Sequence, residues 1–471
     1  MKKRFFAAAL CLILALALLP IRVAEATVTQ IFIAGQSVLA GYWKNNDTKT
    51  GVVAGTSTDW NAYYDNGTLY LRGLDVTSNA VLTAYPGLVL EGDVSYAVHA
   101  NGGDLTINLS GSNTINTNDP AVHMRATLYV TGGTLTVEGN GTLTANAQAT
   151  EETWDSHGVY TRSLATEFCD LIVKGNARLI GVVTNDPNPV TAGYNGSFGV
   201  YADGPIRVLD SGSIHGTGGQ ALMQSGSVGV AGLDTTLRGN GSIIGIGSSV
   251  VDGTSIGLNL EGIEIYENGR LTGTGGNAGD LGSSFGVNAF GTYVTGNDTL
   301  MAISGVAGTE SCGLNNYGEN INPAQGFSMD GGAVTVRSPA TGIGSGIYTA
   351  YDEIVINGGR FTAQGAAGAL DIGVTNESTV TLGPGVAARM HTNYAGPGVT
   401  DYVSGEPILS EVHFFQTWQG DAPIGGGGTA ATDVPKTGDD ASIALLGGLI
   451  LLSGAGLAVS EAGKRRAAKQ R

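Results

Sequence analysis

The sequence predicts an all-β chain wound as a single right-handed parallel β-helix, and three observations predict it. Glycine accounts for 76 of 471 residues while only 13% are charged, roughly twice the usual glycine share, yet Val, Ile and Leu recur between the glycines as they do in short strands joined by tight turns. A glycine followed by an aliphatic then repeats at Gly158-Val159, Gly199-Val200, Gly229-Val230, Gly257-Leu258, Gly286-Val287, Gly313-Leu314, Gly346-Ile347 and Gly373-Val374. The intervals are 41, 30, 28, 29, 27, 33 and 27 residues. Finally, an aliphatic, a Gly/Asn/Asp turn and a second aliphatic keep phase with that dipeptide, as in VEGNGTL (137–143), LRGNGSI (237–243) and IYENGRL (265–271). From Gly229 to Asn240, Gly257 to Asn268 and Gly286 to Asn297 the offset is 11 each time.

A unit of this size, built from strands of a few residues, has too little apolar surface to fold alone, and stacked copies bury it jointly. Gly and Asn suit corners that need positive φ, and the flanking aliphatics point inward by strand alternation. Ala97-Val98 and Ala121-Val122 read as earlier members of the series. A β-sandwich array is the competing architecture; it favours hairpins and a longer repeat.

In chain order, residues 1–26 read as an export signal. A basic start (Lys2, Lys3, Arg4) precedes an apolar stretch at 5–19 and a small-x-small site that places cleavage between Ala26 and Thr27. Residues 27–90, with Trp43, Trp60, Tyr63 and Tyr64, are expected to hold an N-terminal cap and the first coils, because an open β-helix end is a bare sheet edge. Residues 91–390 carry the repeats, with loops thrown out at 181–197 and 315–326. A C-terminal cap is expected at 391–420 and a flexible, glycine-rich linker at 421–433. Val434-Pro435-Lys436-Thr437-Gly438 follows, and then residues 439–471, with an apolar run at 441–459 long enough to span a bilayer and a basic tail that stays inside.

Composition narrows the partners. Net charge is −17 for the whole chain, and the segments outside 27–437 carry nine basic and four acidic residues, so the product between them has −22. That surface repels nucleic acid and anionic lipid. Cys169 and Cys312, the cysteines outside the export signal, are too few for a disulfide scaffold and lie several coils apart.

The residue after each anchor aliphatic is expected to point outward, which aligns His99, His123, Tyr160, Tyr201, Ala231, Asn259, Asn288, Asn315, Tyr348 and Thr375 in one column. Tyrosine faces stack on sugar rings and asparagine amides bond hydroxyls, so Tyr160, Tyr201, Asn259, Asn288, Asn315 and Tyr348 are candidate glycan contacts. The alternative is a ladder of polar and aromatic side chains that only stabilises the sheet. No catalytic residues are assigned. Glu138, Asp210, Glu267, Asp298 and Asp330 are scattered single acids in turns. Asp155 and His157, beside Trp154, read as a loop packed on its coil. No metal or cofactor is expected: His99 and His123 lack a third ligand, and GGNAGD (275–280) is not repeated.

The segments GVYADGPIRVLDSGSIHGTGG and DLTINLSGSNTI resemble the β-helical repeats of Gram-positive surface proteins grouped as carbohydrate-binding-domain proteins, relatives in shape of pectate lyases. The resemblance covers most of residues 60–390 and implies non-catalytic binding of a plant-type or host polysaccharide. Lyase or hydrolase activity of the same fold, or a plain structural stalk, are the alternatives. Residues 434–471 resemble a sortase sorting signal, usually written Leu-Pro-x-Thr-Gly, with Val434 in place of leucine. That resemblance implies cleavage after Thr437 by a membrane transpeptidase and covalent attachment of Thr437 to peptidoglycan.

Overall fold

The computed structural model describes residues 28–82, 93–118, 124–148, 155–163, 168–184, 196–220, 226–317, 326–339, 343–349, 354–372, 378–392, 399–408 and 412–419. All belong to one unit, residues 1–424. The export signal with its Ala26–Thr27 junction, the linker, the 434–438 motif and the apolar run at 441–459 lie outside the described residues, as do the tips of both expected loops.

Among the described residues every regular element is a strand, and the strands form a β-solenoid of about eight turns. A turn carries three of them. Gly196–Ala202, Ile206–Val208 and Ser213–Thr217 make one turn, and Gly226–Gly232, Thr235–Leu237 and Ser242–Ile246 stack on it in parallel register. Three inner columns run along the solenoid. The first strand of each turn contributes Val200, Val230, Leu258, Val287, Leu314 and Ile347 in direct register. The second contributes Val208, Leu237, Ile265, Val294, Met329 and Ile356, and the third Ile214, Ile243, Leu271, Leu300, Val334 and Phe361. All are buried in one apolar core. Each such side chain contributes about 1.5–3 kcal/mol when withdrawn from water, so a turn gains its stability only by sharing the interior with its neighbours.

The two glycine motifs turn out to do different work. Positive φ belongs to the second motif: Gly239 (φ 70°), Glu267 (φ 74°) and Gly296 (φ 60°) precede Asn240, Asn268 and Asn297 at the corner between second and third strands. The anchor glycines, expected as corners, sit instead inside the first strand. A Cβ on Gly229 would lie 2.1 Å from the Ile246 nitrogen, and one on Gly245 would lie 2.1 Å from the Gly257 oxygen. First and third strands therefore touch backbone to backbone at these turns, and their anchors must lack a side chain to let the turn close.

Two residues before the anchor, a serine completes the closure of four successive turns. Oγ of Ser197, Ser227, Ser255 and Ser284, which lie in register, accepts from the backbone N–H of Gly219 (2.6 Å), Ser248 (2.8 Å), Gly276 (2.7 Å) and Gly305 (2.8 Å), just past the third strand. In an earlier turn Arg125, paired with Ser95 and Ser156, holds this position. It is 1% exposed and donates from Nη1 to the Gln148 carbonyl, which ends its own third strand.

Among the described residues, antiparallel strands appear only toward the ends. Gln30–Ile33 lies antiparallel on Val98–Asn101, and Phe414–Gln419 on Arg360–Gln364. Val52–Ala54, Tyr42–Asn45, Ala62–Asp65 and Thr68–Arg72 form an antiparallel sheet whose last strand joins Leu105–Ser110 in parallel.

Candidate functional site

The outward column exists in register, with two of its expected members replaced. His99 pairs with Tyr129, and Tyr129 with Tyr160, so this rung is carried by Thr127-Leu128-Tyr129 rather than Ala121-Val122-His123. Residues 121–123 lie outside the described residues. The reason is path length: a turn anchored at residue 127 divides the chain from 97 to 158 into nearly equal parts, whereas 121 does not. Thr127 fits the glycine position because its Oγ donates to the Asn146 carbonyl at 2.9 Å. At the other end Tyr348 pairs with Asp371, so the anchor there is Ala369-Leu370 and not Gly373-Val374; Thr375 also lies outside the described residues.

From Tyr160 the column continues through Tyr201, Ala231, Asn259, Asn288, Asn315 and Tyr348, each paired with the next. Its centre is an amide ladder: Asn288 Nδ2 donates to Asn259 Oδ1 at 2.8 Å, and Asn315 Nδ2 to Asn288 Oδ1 at 2.7 Å. These three asparagines, with Tyr160, Tyr201 and Tyr348, are half-buried.

A second outward column runs alongside. Because the backbone bends inward at each anchor glycine, the residue before the glycine also faces out: His157, Phe198, Val228, Ile256, Phe285 and Cys312 pair in order. Val228, Ile256, Phe285 and Cys312 gather with Ala231, Phe198, Tyr201 and Tyr348 into an apolar cluster separate from the interior. The signal for it was in the triplets HGV, FGV, VGV, IGL, FGV and CGL, where the position ahead of glycine is apolar or aromatic.

Toward the N-terminal end the two columns merge into a ring stack. Phe32 stacks on His99 (6.2 Å), His99 on Tyr129 (5.2 Å), Tyr129 on Tyr160 (5.5 Å), Tyr160 on His157 (4.4 Å) and His157 on Phe198 (5.0 Å). His99, Tyr129 and His157 are buried. Burial lowers the His99 imidazole to about 4. Burial first, and the Arg162 charge second, lower that of His157 to about 3. Nδ1 of both rings has no hydrogen-bond partner among the described residues. These imidazoles are neutral at physiological pH, and His157 sits between two rings rather than facing a substrate. Its neighbour Asp155 accepts from the Gly196 N–H at 3.1 Å. Trp154 lies outside the described residues.

The turn acids have backbone roles. Asp210 accepts from the Gly175 N–H (3.2 Å), Glu267 from Gly239 (2.8 Å), and buried Asp298 from Gly269 (2.9 Å) and Thr295 (3.2 Å). Glu138 is bridged by Lys174 (3.2 Å), and Asp330 accepts from the Tyr293 hydroxyl (2.6 Å) and Asn357 (2.8 Å). Among the described residues no three His, Cys, Asp or Glu side chains cluster, and Cys169 and Cys312 are buried and not joined in a disulfide. No helix among them is long and apolar enough to cross a membrane.

No protein-family model, curated protein or solved structure matches this chain.

Proposed function

We propose that the chain is an exported, cell-wall-anchored surface protein of a Gram-positive bacterium whose solenoid binds a polysaccharide or host glycan without cleaving it. On this reading the coils wind right-handed, as parallel crossovers do. The carrying observation is the column from Tyr201 through Ala231, Asn259, Asn288 and Asn315 to Tyr348, one residue per turn and half-buried except at Ala231, with an amide ladder at its centre and an apolar strip beside it. Such a run offers hydrogen-bonding groups at the solenoid's own period, about 4.8 Å, which suits a polymer of repeating rings. His99 and Tyr129, being buried, take no part, and the glycan contacts begin at Tyr160. Sortase would join Thr437 to peptidoglycan, the signal at Ala26–Thr27 and the 434–438 motif serving transport and attachment.

The structural stalk is the second reading, and the buried ring stack favours it, since those rings stabilise turns whatever the solenoid binds. Glycan-array screening of the released protein separates the two. Retention on a glycan, weakened at least tenfold by Asn288→Ala with Tyr348→Ala, is the expected result; no retention on any acidic or neutral glycan contradicts it. Release of unsaturated oligosaccharides from the same glycans would instead mark a lyase. For anchoring, Thr437→Ala should move the protein from the wall fraction to the membrane fraction, and unchanged wall attachment would remove the sortase step.

A further inference from the structure

The antiparallel sheet at the N-terminal end has one side on the core and one side bare. Ala62, Leu69 and Leu71 are buried beneath it, and Tyr64 turns inward against the same core, its hydroxyl accepting from the Gly67 N–H at 3.2 Å. On the opposite side Tyr42, Tyr63 and Tyr70 stand directly across from one another on consecutive strands. Their rings stack, 4.5 Å from Tyr42 to Tyr63 and 5.8 Å from Tyr63 to Tyr70. Trp60 lies 6.2 Å from both Tyr42 and Tyr63, and Arg72 holds it from above with its guanidinium 4.4 Å from the ring centre.

The row does not stop at the sheet. Tyr70 pairs with Asn108, and Asn108 with Glu138, to which its amide donates at 3.1 Å. Five rungs in one line thus present three phenols, an amide and a carboxylate, at about 4.8 Å per rung. This line lies on the second strands, a different face of the solenoid from the asparagine ladder.

We propose that Tyr42, Trp60, Tyr63, Tyr70 and Asn108 form a binding site for a linear, uncharged polysaccharide running across the strands. The inference rests on the glycan-binding reading above and assigns it to a second place. The polymer is argued from three properties of the row. Half-exposed aromatic rings held rigid by one another bind at little entropic cost, and on a chain this acidic a bare cluster of four marks a contact surface. The groups repeat in a straight line, which fits a polymer of repeating rings better than a compact ligand. Charges around it balance, Lys44 pairing with Asp59, Lys174 with Glu138, and the Arg72 cation over Trp60 matched by Asp65 beside Tyr63, in a strongly acidic chain, so an uncharged polymer fits and an anionic one is repelled.

Affinity electrophoresis of the full mature chain, in gels holding a soluble neutral β-glucan or polygalacturonate, tests this. Wild type should be retarded by the neutral polymer. Trp60→Ala and Tyr63→Ala should each weaken retardation about tenfold or more, Tyr63→Phe by less, and Met301→Ala, exposed on a third strand away from both rows, should leave it unchanged, all with wild-type far-ultraviolet spectra. Normal retardation of Trp60→Ala and Tyr63→Ala together with loss in Asn288→Ala would overturn this site and leave the ladder. Retardation only by polygalacturonate would overturn the uncharged ligand. No retardation of wild type by any polysaccharide would overturn both sites.

Discussion

Two groups of aromatic rings occupy outer faces of the same solenoid and meet opposite fates. The stack from Phe32 through His99, Tyr129, Tyr160 and His157 to Phe198 contains buried rings on the first strands, whereas Tyr42, Trp60, Tyr63 and Tyr70 are half-exposed beyond the second. Both are cross-rung ladders of the kind that stabilise sheets. What separates them is solvent. A buried stack forces its histidines to stay neutral and couples its rings to folding, while an exposed row stays free to exchange water for a ligand.

Acid should expose that difference most strongly. In the unfolded chain both imidazoles titrate near 6.5, and in the folded chain at about 4 for His99 and about 3 for His157. The unfolded state then binds more protons below pH 6.5, so the stability they confer is complete above that pH and is lost as pH falls toward the folded values. From pH 6.5 to 5 the pair should cost about 3.3 kcal/mol. Urea unfolding at stepped pH measures it, and His99→Phe with His157→Phe should flatten the slope over that interval. An unchanged slope would mean that the rings are hydrated. Next in size, Tyr129→Ala should lower stability by about 3 kcal/mol, read from the urea midpoint, because a fully buried ring leaves a cavity. Asn288→Ala should cost only about 1 kcal/mol through two lost side-chain hydrogen bonds while weakening retention on the glycans that the asparagine ladder holds. Smallest of all, Tyr63→Ala should keep the unfolding midpoint within about 2 °C of wild type, and a larger drop would make the exposed row structural like the buried one.

The interior was legible because it obeys one rule: an aliphatic follows each anchor glycine, and Val200, Val230 and Val287 are dry as that rule requires. The outer ladder from Tyr160 to Tyr348 followed from the same phase. The role of the anchor glycines was not legible, since a glycine that prevents a collision 2.1 Å away and one that permits positive φ look alike in a string of letters. Arg125 was hidden for a related reason. It takes a serine's place in the clasp, which only register reveals. Thr127 escaped because it is not of the glycine or alanine type that marks the other anchors, and only equal path length points to it. The exposed tyrosine row joins residues from three strands of an antiparallel sheet that follows no repeat, so only Trp60 and Tyr63 stood out, as members of a cap.

Parallel stacking in register is the claim on which the outer columns of the first strands depend, and a disulfide can measure it. In a Cys169→Ala, Cys312→Ser background, the pair Asn259→Cys and Asn288→Cys should close a disulfide on mild oxidation, seen by mass spectrometry of a non-reducing digest, because adjacent rungs place the Cα atoms about 4.8 Å apart. The pair Asn259→Cys and Asn315→Cys, two rungs and about 9.6 Å apart, should stay reduced. A bond in the second pair, or none in the first, would contradict the register.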